Sequence, residues 1–250
     1  MIRPADKGAF EGLIPTDPFL TRILSLYLCY GEGYDFVGFW EQRAGESTAA
    51  LISRFEDKFS LRLTDEADLE EIAAFLRFQG AGSVMFDAGY ALDIPDRAHT
   101  IEGQVLEYTG DDYISDTEIY EPDFKELYGL LKTCESDIFR VPDYMVFLSD
   151  LTHRRNMDKL HLIGTAAYGT LASSVMTVSE APASAILGAV ATRPEYRGRG
   201  LSRSLVRTLA TRLRAEGRRV YVLSASDANT RFYINSGFEI TAGFREIFLR

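Results

Sequence analysis

The chain has 250 residues, 46% hydrophobic and 26% charged, with a net charge of −10; this is the make-up of a globular protein with enough length for one large core or two modest ones. An acidic balance argues against a non-specific nucleic-acid binder, and without a run of eighteen apolar residues no membrane-spanning helix is expected. The charge is unevenly placed: residues 1–150 hold 30 acidic against 12 basic side chains, while residues 151–250 hold 7 against 15.

The opening MIRPADKGAFEG has no apolar signal core, so the chain reads as cytoplasmic. Cys29 and Cys134 fall in predicted helices and read as buried thiols. The three histidines, His99, His153 and His161, are scattered, and no Cys/His spacing points to zinc, so no metal is expected.

In chain order, Asp17-Pro18 opens a helix over residues 17–30. Strands are predicted at 34–40, 48–54 and 58–63. A helix follows over 64–78, capped by Thr64, with acids in its first turn and a stripe of Leu69, Ile72, Ala73 and Leu76. A short strand at 82–86 comes next, then a turn-rich stretch with one strand at 103–109. A boundary is expected near Gly110, separating residues 1–110 from 111–250. Helices at 121–133 and 142–154 and strands at 160–166 and 168–179 lead to the most informative segment.

That segment is ILGAVATRPEYRGRGLSRSLVRTLATRL, residues 186–213. Ile186 to Thr192 is an apolar strand stopped by Pro194. Arg197-Gly198-Arg199-Gly200 then leads into a helix whose Leu201, Leu205, Leu209 and Leu213 recur every four residues. A strand, a glycine turn and a helix start together form an anion site, because the first helical amides are unpaired and the helix dipole is positive there. Arg197, Arg199 and Arg203 add charge, and a phosphate or pyrophosphate suits the place. A P-loop would need Lys-Ser or Lys-Thr after the glycines, which is absent. A dinucleotide fingerprint would need a small residue where Arg203 stands.

The loop resembles the acetyl-CoA loop of the GNAT superfamily of N-acetyltransferases, [QR]-x-x-G-x-[GA], here Arg197-x-x-Gly200-x-Ser202. Serine departs from the pattern at the last position but is small. A second family motif, N-x-x-F-Y-x-x-x-G-F, is matched by Asn229, Phe232, Tyr233, Gly237 and Phe238, after a predicted strand at 220–225 and with Asp227 or Asn229 as helix cap. The resemblance covers roughly residues 111–250. It implies the GNAT fold, an α/β (α+β) arrangement of a mixed, twisted sheet with helices on both faces, whose last strand is read at 244–249. The helix–strand order of the N-terminal half repeats that of the C-terminal half, which implies a tandem of one degenerate and one complete unit. Where the second unit has arginines and glycines, the first has Asp65, Glu66 and Asp68, which would repel a pyrophosphate.

By the same resemblance, acetyl-CoA is the cosubstrate and a primary amine, of a small molecule or a peptide, the acceptor. Pantetheine would pair with the backbone of Val190, Ala191 and Thr192, and the pyrophosphate would meet Arg197, Gly198, Arg199, Gly200, Leu201, Ser202 and Arg203. Asn229 would either hydrogen-bond the coenzyme or cap its helix. Tyr233 is the candidate acid, since a phenol can give a proton to the departing thiolate. Glu180 and Glu195, flanking the Ile186 strand, are the candidate bases, against the reading that both sit in solvated loops. The helices at 121–133 and 142–154 would wall the acceptor site, and the acidic N-terminal half would draw a cationic amine. An acyl-CoA sensor that transfers nothing, and a nucleotide-binding oxidoreductase, are the readings from other classes.

Overall fold

The computed structural model describes residues 1–95, 97–135 and 139–250. The N-terminal half runs β1 (Ile2–Pro4), α1 (Pro18–Tyr30), β2 (Val37–Ala44), β3 (Ser47–Phe55), β4 (Lys58–Leu63), α2 (Leu69–Phe78), β5 (Ser83–Asp87) and β6 (Arg97–Tyr108). Two helices follow, α3 (Phe124–Lys132) and α4 (Tyr144–Asn156), and then three strands, β7 (Leu162–Ala167), β8 (Thr170–Ala181) and β9 (Ser184–Thr192). The chain ends with α5 (Leu201–Ala215), β10 (Arg219–Ser224), α6 (Asp227–Ile234) and β11 (Phe238–Leu249).

Helix starts follow local side-chain chemistry. Asp17 accepts the Leu20 amide at 2.8 Å ahead of Pro18, and Asp123 and Glu126 form a reciprocal capping box on α3. Two expected caps are corrected. Asp68, not Thr64, caps α2 by accepting from the Glu71 amide, because the Thr64 hydroxyl is engaged by the Ala49 carbonyl. Ser226, not Asp227 or Asn229, caps α6.

All strands join one sheet in the order β1-β2-β3-β4-β5-β11-β6-β10-β9-β8-β7. Its centre is an exchange. β6 follows β5 in the chain yet pairs with β10 and β11, and β11 follows β10 yet pairs with β5 and β6. Each half therefore passes its last strand across to the other, and the sheet runs unbroken past residue 110. Gly103 sits in the seam: a Cβ there would lie 2.4 Å from Phe244 and 2.5 Å from the Ser224 carbonyl oxygen. Gly103→Ala is expected to destabilise by about 1–3 kcal/mol, since a carbonyl cannot step aside as a side chain can; denaturant titration measures it.

α1 touches β3 and β4 on one side of the sheet order and β8 and β9 on the other. From β4 to β9 is five strand spacings, about 24 Å if flat, and a helix is only about 10–12 Å across. The sheet therefore curls around α1. Side chains alternate accordingly: Leu51 and Ile186 face α1 in the concave interior, while Ile52 packs with α2 and Ala185 and Leu187 with α5 on the convex side. The predicted leucine stripe of α5 is the core of that outer layer, with Leu205, Leu209 and Leu213 fully buried.

Candidate active site

β9 and β10 run parallel but pair only at Ser184–Arg219, Ala185–Val220 and Ile186–Tyr221. Beyond Ile186 the two strands part, and Leu187, Gly188, Ala191 and Thr192 keep partners on β8 alone. A bulge sits at the parting: Ala189 has φ of 48°, and the register jumps between Ser174–Ala191 and Met176–Gly188. Such a conformation is unfavourable for a residue with a Cβ and re-aims the local amide and carbonyl. The gap is a cleft of about 670 Å³. Leu131 and Cys134 at the end of α3 reach it from the concave side, and Phe232 and Tyr233 of α6 from the convex side. It passes through the sheet.

At the convex mouth lies the glycine turn. Gly198 and Gly200 have φ of 75° and 78°, and Gly200 stands at the N-cap of α5, where it can offer no side chain to the helix. Among the described residues, the amides of Gly198, Arg199, Gly200, Leu201, Ser202 and Arg203 donate to no acceptor in the chain. That run of open donors at the positive end of a 15-residue helix forms a cradle chemically suited to an oxyanion.

The predicted cofactor residues gather here. Val190, Ala191, Thr192, Arg197, Gly198, Arg199, Gly200, Leu201, Ser202 and Asn229 all line the cleft. Arg203 is the exception: its amide belongs to the cradle, but its side chain is exposed and outside the wall. The arginine side chains are partly used locally. Arg197 donates to the Thr192 carbonyl at 3.1 Å, and Arg199 to the Glu195 carbonyl while covering the Tyr196 ring.

Tyr233 lies in the wall, its ring packed edge-on against Phe232 and Phe238. Burial pushes its phenol up to about 12, so it stays protonated throughout the neutral range. Among the described residues its hydroxyl has no hydrogen-bond partner in the chain and is open to a ligand.

Neither candidate base joins it. Glu195 is exposed on the short turn Pro194–Tyr196 and does not line the cleft. Glu180, expected near solvent, is 1% exposed near the end of β8. It accepts from the His161 ring and amide at 2.8 and 2.9 Å, from Thr177, and from Arg218 at 2.7 Å. Burial alone would raise the carboxyl, but the hydrogen bonds from His161 and Thr177 and the nearby His161 and Arg218 charges hold it at about 2. So low a basicity, with both oxygens occupied, removes Glu180 as a proton acceptor. No carboxylate lines the cleft among the described residues. Cys134 also departs from expectation: it is a half-buried residue beyond the end of α3, its thiol 3.6 Å from the Thr192 carbonyl. Sequence reasoning missed it because its neighbour across the cleft is 58 residues away.

The N-terminal half repeats the geometry with the opening closed. β4 and β5 are also parallel for three pairs, Lys58–Ser83 to Ser60–Met85. Leu92 and Ile94, 3% and 1% exposed, pack into the cluster that holds Leu61, Leu63 and Phe86. Tyr90 donates its hydroxyl to the Leu63 carbonyl at 3.1 Å. The corresponding turn ends in Asp68, which caps α2 itself. This half therefore has its strand opening filled by side chains and carries, at the corresponding helix start, a capping carboxylate in place of the glycine turn.

A sequence model described as an acetyltransferase (GNAT) domain matches residues 156–241. No curated protein sequence matches the chain. Among solved structures, an acetyltransferase of the GNAT family from Colwellia psychrerythraea superposes with a TM-score of 0.60 at 12% identity, covering 100% of both chains. A GCN5-related N-acetyltransferase from Sphaerobacter thermophilus gives 0.58 at 16% identity, over 99% of this chain and 94% of that one. A tandem GNAT protein from the clavulanic acid biosynthesis pathway gives 0.51 at 16%, over 84% and 82%. At these identities the likeness is one of fold.

Proposed function

The chain carries a GNAT acetyltransferase domain at residues 156–241, and on that premise we propose that it transfers the acetyl group of acetyl-CoA to a primary amine by direct attack within a ternary complex. The observation that carries this is the run of open amides from Gly198 to Arg203 beside the unpaired edge of β9. The amides suit a pyrophosphate, and the strand edge suits the two amide groups of pantetheine, which would pair with it as a short strand does. The bulged backbone at Ala189 would face the thioester, where an amide can stabilise charge on its oxygen.

In this reading the amine nitrogen forms the new C–N bond and the C–S bond breaks. Tyr233 hydrogen-bonds the departing sulfur, and the proton that the amine releases through water balances the thiolate as free thiol. A phenol held at about 12 is a weaker acid than the thiol, of pKa roughly 8.5–9, so full transfer to a free thiolate would run uphill, and the phenol acts by sharing its proton with the sulfur while the C–S bond breaks and charge develops there. With no carboxylate in the wall among the described residues, the amine reaches the thioester already neutral or loses its proton to water.

That same absence favours a second reading, an acyl-CoA-binding sensor. Calorimetry with CoA, followed by an amine screen with free-thiol detection, separates the two. A transferase binds CoA and releases thiol with at least one amine; a sensor binds and releases none. Indifference to CoA removes both.

A further inference from the structure

Behind the cleft, in the concave interior, lies a second cavity of about 210 Å³ walled by both halves of the chain. α1, β3 and β4 supply one side and α4 and β8 the other. Its chemistry is uneven. Arg22, Lys58 and Arg154 enter it, and among the described residues no carboxylate comes within ion-pairing distance of any of them. Arg154, 6% exposed, spends its Nη2 on the carbonyls of Thr177 and Lys159. Arg22, which lines the cavity, donates through Nε to the Ser60 hydroxyl at 3.2 Å, and among the described residues its two terminal nitrogens have no hydrogen-bond partner. Ser25, Ser53, Ser60 and Ser179, all buried, set hydroxyls around it. The single acid, Asp150, is held by the Tyr30 hydroxyl at 2.6 Å. Residues 1–150 are strongly acidic as a whole, yet most of what they place here is cationic or hydroxylic.

Glu246 acts on the Arg22 charge from a distance but forms no ion pair with it, and guanidinium donors left without acceptors are unfavourable to bury unless something joins them. The cavity is also close to the chemistry. Val178 lines it, and a Cβ built on Gly188, which lines the cleft, would lie 2.5 Å from that valine's Cγ1. One isopropyl group thus separates the cavity from the strand edge just ahead of the Ala189 bulge.

We propose that this cavity anchors a carboxylate on the far end of the acceptor, so that the acceptor is an amine that also carries an acid group. The proposal rests on the transferase reading for its amine and on the cavity's own residues for its acid. The free fork of Arg22 matches a planar carboxylate with two parallel N–H···O bonds. Lys58 and the serines supply further donors, and Asp150 opposes a second negative charge, which favours a carboxylate over a phosphate dianion. The anchored end would leave the amine to reach past Val178 toward the thioester.

The test is a ladder of ω-amino acids of increasing length, each compared with its primary amide, in the acetyl-CoA thiol-release assay. At the matching length the acid should show a kcat/KM about ten- to a hundred-fold above its amide, the worth of a charge-assisted hydrogen bond. Arg22→Gln should bring that ratio close to one while CoA affinity holds. Arg22→Lys should restore part of it, and Lys58→Gln, at an exposed position, should reduce it less. Amides equal to acids in the unaltered protein, or a ratio untouched by Arg22→Gln, overturns the proposal. Calorimetric titration with the same amino acids and with inorganic phosphate decides the cavity independently of turnover. Carboxylate binding lost in Arg22→Gln supports it even if no amine releases thiol, which would sink only the transferase reading. No carboxylate binding, or tighter binding of phosphate, rejects it.

Discussion

Tyr233→Phe is expected to lower the single-turnover rate of acetyl transfer by about 10²–10⁴-fold, the range for loss of a general acid, with CoA affinity nearly intact. The ring stays in its contacts with Phe232 and Phe238, and only the hydroxyl goes. The pH profile adds a second readout. With no carboxylate in the wall among the described residues, the rising limb belongs to the amine acceptor and climbs toward its pKa of about 10. With the phenol at about 12, no falling limb from Tyr233 intrudes over that range. The variant should keep the rising limb and lose amplitude. Equal single-turnover rates in the two proteins would remove the tyrosine from the chemistry.

Glu180→Ala is expected to be the most destabilising of the changes considered, by about 3–5 kcal/mol, because it removes the buried acceptor shared by Arg218 and His161 and leaves them only the exposed Glu216. Thermal and denaturant unfolding measure it, and the melting point should fall by about 10 °C. The effect depends on pH in a definite direction. The Glu180 carboxyl is depressed from 4.5 to about 2, so its contribution is full above about 4.5 and disappears as pH falls through about 2. His161 is raised above 6.5, chiefly by its hydrogen bond to Glu180, so its contribution is full below about 6.5 and fades as pH rises through the elevated value. The gap between the two proteins should be widest between those limits. A gap unchanged from about pH 6 down to about pH 2 would contradict the assignment.

What could be read from the sequence was what depends on neighbours in the chain. The Gly198–Gly200 turn, the Leu205–Leu209–Leu213 stripe and the placing of Tyr233 on a helix after a strand are local patterns, and they assemble as expected. Glu180 was misread because its burial is set by Ser25, His161 and Arg218, none of them adjacent, and a glutamate beside a turn ordinarily faces water. β6 begins at Arg97, ahead of the expected residue 103, because its first half is exposed and polar and lacks the apolar alternation that marks a strand. β11 likewise begins at Phe238 rather than 244, since Glu239 to Thr241 are exposed. Thr64 lost the cap to Asp68 because several capping side chains compete within a few residues, and a strand carbonyl took the threonine. The cavity at Arg22 lay beyond sequence reasoning, since it exists only where the curled sheet brings β3 and β8 to the same helix.

The crossing of β6 and β11 has a consequence for how the molecule is made. During synthesis the open side of β5 stays bare until β11, about 150 residues further along, has left the ribosome, because that strand is its neighbour. The first half can collapse early around Leu61 and Ile72, but it must wait with an unsatisfied flank that invites pairing with other chains. Cutting the gene between the halves would leave two fragments, each holding a strand that belongs in the other's sheet; expressed together they should complement one another, and expressed singly they should aggregate.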